Sequence, residues 1–150
     1  MYTEQMSQGL SIAGAPIHPQ SLAAATPTGT GGVDMQKFRR ALFILDVGAF
    51  GASATVDMKL QESPDNSTFT DLAGTNTSIT QLVVGGGNNR LATLEARAGQ
   101  LSAGKRYLRA LVTVGTAATQ VGCIALGGEA ISKPGSLNDV GAVAQRNVVS

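Results

Sequence analysis

One stretch of eight residues constrains the fold more than any other. Across Ala54-Thr55-Val56-Asp57-Met58-Lys59-Leu60-Gln61, apolar and polar side chains alternate without a break. Successive side chains of an extended backbone point to opposite faces. Ala54, Val56, Met58 and Leu60 therefore share one face, and Thr55, Asp57, Lys59 and Gln61 the other. That pattern predicts a half-buried antiparallel strand and is incompatible with a helical period.

The neighbouring segments extend the same reading. Residues 41–47 are apolar at both parities, which predicts a central strand covered on each side. Residues 48–53 supply a turn between these two strands. A second turn is marked by Ser63-Pro64-Asp65-Asn66-Ser67, where Pro fixes φ and Asp or Asn can bond its own backbone. Further strands are expected over 68–72, 78–84, 90–96, 106–114 and 119–126, separated by the glycine-rich runs 85–89 and 99–104. Short strands at roughly ten-residue spacing, with no helical period, predict an all-β chain. The expected architecture is an antiparallel β-sandwich, jelly-roll-like, over residues 36–131. Val56, Met58, Leu60, Leu108, Ala110 and Val112 are expected to face inward.

Residues 1–35 read as an extended N-terminal arm. Pro16, Pro19 and Pro27 interrupt any helix, Thr28-Gly29-Thr30-Gly31-Gly32 is flexible, and Leu10, Ile12, Ile17 and Leu22 follow no period. Residues 132–150, with Pro134 and Gly135, read as a C-terminal arm. Extended segments with little charge and scattered aliphatics suit a chain laid along a partner. Leu10, Ile12, Ile17 and Leu22 are thus expected partner contacts, and removal of residues 1–33 is expected to leave the sandwich folded.

Composition narrows the function. The chain has 11 Lys+Arg against 10 Asp+Glu, a formal charge of +1, which does not suggest a nucleic-acid partner. Only 14% of residues are charged while 43% are hydrophobic. So little charge would poorly solubilise a free surface, so much of it is expected to be covered. One Cys and one His argue against a disulfide framework, a Cys-rich zinc site and His-dependent catalysis. No window approaches the roughly 18 apolar residues of a membrane-spanning helix, so no membrane association is expected. The first residues do not read as a signal peptide, and synthesis in the cytoplasm is expected.

The candidate chemical groups are sparse. His18 lies in the arm between Ile17 and Pro19, and Cys123 in an apolar run where it reads as a small core residue. The glycine groups 29–32 and 85–87 lack the Lys-Ser/Thr of a phosphate loop. Asp65 and Asp71 match no calcium-loop spacing. No enzyme activity, cofactor or metal site is expected. Lys37 and Arg39, where the arm meets the first strand, are placed to pair with a partner's carboxylates. Leu42 and Ile44 offer an apolar face for assembly.

The central block carries a resemblance. Ala41-Leu42-Phe43-Ile44-Leu45-Asp46-Val47-Gly48-Ala49-Phe50-Gly51, Val56-Asp57-Met58-Lys59-Leu60-Gln61-Glu62-Ser63, Phe69-Thr70-Asp71-Leu72, Lys105-Arg106-Tyr107-Leu108-Arg109-Ala110 and Val112-Thr113-Val114-Gly115 resemble small structural proteins of tailed bacteriophages. The resemblance implies a jelly-roll capsid cement (decoration) protein, non-enzymatic, sitting on the virion exterior. Its implied partners are the major capsid protein and further copies of itself, with a trimer favoured over a dimer. The block is also similar to galactose-binding-like jelly rolls. A carbohydrate- or receptor-binding module is therefore an alternative, as is a head-completion or fibre-base protein. With no Trp, two Tyr and four Phe, few rings are available for stacking sugars.

Overall fold

The computed structural model describes residues 5–86 and 88–148. After one helical turn, α1 (Met6–Gly9), the chain is built from strands. These are β1 (Leu10–Ile12), β2 (Ile17–Leu22), β3 (Thr28–Gly29), β4 (Val33–Asp34), β5 (Phe38–Val47), β6 (Thr55–Ser63), β7 (Thr70–Asp71), β8 (Leu82–Val83), β9 (Arg90–Arg97), β10 (Tyr107–Gly115) and β11 (Thr119–Ala130). Short 3-10 turns follow β9 and β11, at Ala98–Gln100 and Gly135–Asn138.

Every strand pair is antiparallel, and the strands form two sheets. In the first, β1 and β2 both pair with one side of β11, followed by β5 and β9. In the second, β3 and β4 pair with β10, followed by β6, which takes β7 and β8. Each of the pairs β1/β2, β3/β4 and β7/β8 fills a single strand position. Numbered along the chain, the positions run 1-8-3-6 in one sheet and 2-7-4-5 in the other. That order is a jelly roll of two Greek keys, as the resemblance implies.

The core lies between the sheets. Val56, Met58, Leu60, Leu108, Ala110 and Val112 all face inward and are at most 2% exposed, as the alternation predicts. Phe43, Leu45 and Val47 of β5 meet them from the first sheet, together with Val121, Cys123 and Ala125 of β11. The Phe38 ring lies flat on Gly127, where any Cβ would collide with it.

The N-terminal segment differs from the expected arm. It supplies β1 to β4, which form one edge of each sheet, and buries Ile17, Leu22, Val33 and Met35 in the core. Pro19 lies within β2, at a register irregularity opposite Val121 to Cys123, where Pro is tolerated because an edge strand has one side that needs no ladder donor. At one corner Gly14 adopts a φ of +74°, and the Gly31 N–H donates to Ala15 O at 2.8 Å. Ile17 and Leu22 are therefore corrected from partner contacts to core residues.

The C-terminal segment is likewise tied down. The Val140 N–H donates to Ile12 O at 2.9 Å, and the Ile12 N–H donates to Asp139 Oδ1 at 2.9 Å. Arg146 pairs with Asp139 at 2.6 Å and reaches Leu10 O, while Ser11 Oγ bonds Gly135 O. This segment covers the outer edge of β1.

Candidate interaction surface

The two sheets present outer faces of opposite character. On the second sheet, the outward residues of β6 and β10 are mostly polar, with Leu111 the apolar exception, and several bond one another, β7 or the loop before β8. Gln61 Oε1 accepts from Arg109 Nη2 at 2.8 Å, and Arg109 also covers the Phe69 ring, 3.9 Å from its centroid. Lys59 pairs with Asp71 at 2.7 Å and lowers the pKa of that carboxyl, and Gln81 donates to Asp57 at 2.8 Å. This is an ordinary solvated face.

The first sheet is apolar outside. Alternation along β5 sends Phe43 and Leu45 inward and therefore Leu42 and Ile44 outward. Across the sheet, Ile12, Leu126 and Leu42 form one row by register, with Ile124 and Ile44 directly opposite each other in the next. Ile124 is 45% exposed, and the other four are half-buried. Among the described residues no further layer is laid over this row, so β5 is central in its sheet as expected, with the second sheet over its inner face alone. Leu10 lies beside it on the same face, over Gly128.

Charges bound the patch. Arg40 pairs with Glu129 at 2.8 Å and Glu95 at 3.2 Å, which raises its pKa, and Asp46 stands at the other end of β5. An apolar centre with a charged margin is the usual anatomy of a protein interface. The structure thus brings together four of the expected contacts: Leu10, Ile12, Leu42 and Ile44. Lys37 and Arg39 lie at the sheet end, exposed, and neither forms an ion pair within 4.0 Å among the described residues. Leu126 and Ile124 were not singled out from sequence, though residues 121–126 are apolar at both parities, the same signal that marks β5.

Chemical groups lie elsewhere. His18 is exposed on β2. Cys123 faces the core, and burial pushes its thiol up to about 12, far from a reactive thiolate. Among the described residues, no three His, Cys, Asp or Glu side chains gather to hold a metal ion.

No family model and no curated protein matches the chain. Among solved structures it is similar to the PBSX exported protein XepA, with a TM-score of 0.54 and 14% identity. That match covers 88% of this chain and 40% of XepA, so the chain spans well under half of that protein's length. At this identity the likeness shows the fold alone. The chain also aligns with a protein of the disulfide-linked pili of Bacillus endospore appendages, at 17% identity over 84% of this chain and 94% of that one. A third match is infectious bursal disease virus of the Gt strain, at 8% identity over 85% of this chain and 33% of that one. Their TM-scores, 0.39 and 0.41, fall below 0.5 and carry no argument.

Proposed function

We propose that the chain is a non-enzymatic structural protein of a bacteriophage virion that binds the outer surface of the capsid and cements the major capsid protein lattice. The observation that carries this reading is the apolar outer face of the first sheet, centred on Leu42, Ile44, Ile124 and Leu126. Burying such a face contributes roughly 25 cal/mol per Å² of apolar area, whereas leaving it in water favours nonspecific association. The jelly-roll strand order and the resemblance of the central block to phage structural proteins support the class of partner.

The aromatic residues among those described disfavour the sugar-binding alternative. Phe38 and Phe43 are buried, Phe50 packs against the core, and Arg109 covers Phe69. Tyr107 is half-buried beside Arg106, 5.0 Å from its ring centroid. Sugar stacking needs an open ring face. Quantitative mass spectrometry of purified particles tests the reading. Many dozens of copies per particle are expected. A dozen or fewer would point to a connector or fibre base, and saturable glycan binding by the isolated protein would favour the alternative.

A further inference from the structure

We infer that the free edge of β9 pairs with β9 of a second copy, across a two-fold axis through Thr93. This goes beyond the proposed function and does not depend on it.

The sheets have four edges, and three are blunted. The β1/β2 edge contains Pro19 and is covered along β1 by the C-terminal segment, and the β3/β4 and β7/β8 edges consist of two-residue pieces. The fourth edge, β9, runs eight residues without a break, and no strand pairs with its far side among the described residues. Long, regular edges invite pairing with another chain. No backbone hydrogen bond joins the loop 73–77 to this edge among the described residues, and an open cleft of about 320 Å³ separates it from Glu95, Ala96 and Gln100.

The ladder itself fixes the register. The Arg97 N–H donates to Gln100 Oε1 at 2.8 Å, away from β5. Antiparallel ladders alternate, so Leu91, Thr93 and Glu95 also turn their N–H and C=O groups to the free side. Only a register that sets Thr93 opposite the partner's Thr93 employs all three residues of both copies. Leu91 then faces the partner's Glu95. On the inner face Ala92, which packs against the core, meets the partner's Leu94, also apolar.

Moving the axis to Leu94 sets Leu91 against the partner's Arg97, whose N–H is already taken. Moving it to Ala92 sets Glu95 against the partner's Asn89, beyond the strand. The Thr93 register also opposes no like charges, and Thr–Thr pairs across antiparallel strands are favourable. An axis normal to the sheet makes one continuous sheet of both copies. Their apolar outer faces then lie on the same side and double the docking area.

Light scattering and sedimentation of the full chain across a concentration series test this directly. The expected mass is twice 15.2 kDa. Thr93→Pro removes the central N–H without touching the intramolecular ladder, and should return the mass to a monomer with an unchanged circular dichroism spectrum. Should that variant fail to fold, the cysteine pair decides instead. Thr93→Cys is expected to form a disulfide-linked dimer on mild oxidation, while Leu91→Cys, about 14 Å from its symmetry mate at roughly 3.4 Å per residue, does not. A monomer at every concentration would overturn the inference. So would an oligomer that survives Thr93→Pro, or one cross-linked by Leu91→Cys but not by Thr93→Cys.

Discussion

Ile44 and Ile124 stand opposite each other on β5 and β11, with both side chains on the outer face of the first sheet rather than in the core. Their inward neighbours, Phe43, Leu45, Cys123 and Ala125, already fill the interior. The exposed Ile124 therefore adds less to folding than these inward residues, and both isoleucines present apolar surface to a partner.

Charge placed at this pair should separate binding from stability. Ile124→Lys puts an ammonium on a side chain that is 45% exposed, and the folded chain can keep it in water. Chemical denaturation should show a change within about 1 kcal/mol. Particle binding should weaken at least tenfold, which corresponds to about 1.4 kcal/mol. Ile44→Lys should behave alike in a binding titration, with a somewhat larger loss of stability.

Inward positions should respond in the opposite way. Met58 is 1% exposed between the sheets. Met58→Ala should cost roughly 2–5 kcal/mol through lost contacts and a cavity. Met58→Asp would bury an unpaired carboxylate and should leave no cooperative unfolding transition.

Removal of residues 1–33 should unfold the sandwich, contrary to the expectation from sequence. The deletion strips edge strands from both sheets and takes Ile17, Leu22 and Val33 out of the core. Loss of a thermal transition in the truncated chain checks this. A truncated protein with native circular dichroism and a normal melt would count against the intramolecular pairing of β1 to β4.

Acid should destabilise the fold over a defined window. Asp65 Oδ1 accepts from the Thr68 and Ser67 backbone N–H groups and from Ser63 Oγ, which together hold its pKa down at about 2. Asp34 is also lowered, chiefly by Arg106, which bonds it at 2.6 and 2.8 Å. A carboxyl with a depressed folded pKa contributes stability that is present above its unfolded value, near 3.8, and lost as pH falls through the folded value. Urea midpoints should be flat above about pH 5 and fall between pH 4 and pH 2. Asp65→Asn should reduce that slope.

The legibility of this fold follows the period of each segment. β6 alternates cleanly over residues 54–61, and β10 does so apart from the outward Leu111, so their inward faces could be read directly. β5 and the 121–126 stretch of β11 are apolar at both parities. That signal showed a second apolar face but not whether the same chain covers it. The strands β1 to β4 were illegible because two to six residues broken by Pro and Gly carry no period. Their position is set by the ladder donors and acceptors of β11 and β10, which are invisible in a linear reading. For the same reason Ile17 and Leu22 could not be told from Leu10 and Ile12. The free edge of β9 depends on strand order, which alternation alone does not encode.

A map of intact particles, resolved well enough to orient the sandwich, tests the central claim most directly. The proposed function predicts the outer face of β11 and β5, with Ile124 and Ile44, seated on the capsid exterior and excluded from solvent. Finding that face turned to solvent while another surface holds the shell, or finding the chain only at the tail, would contradict it.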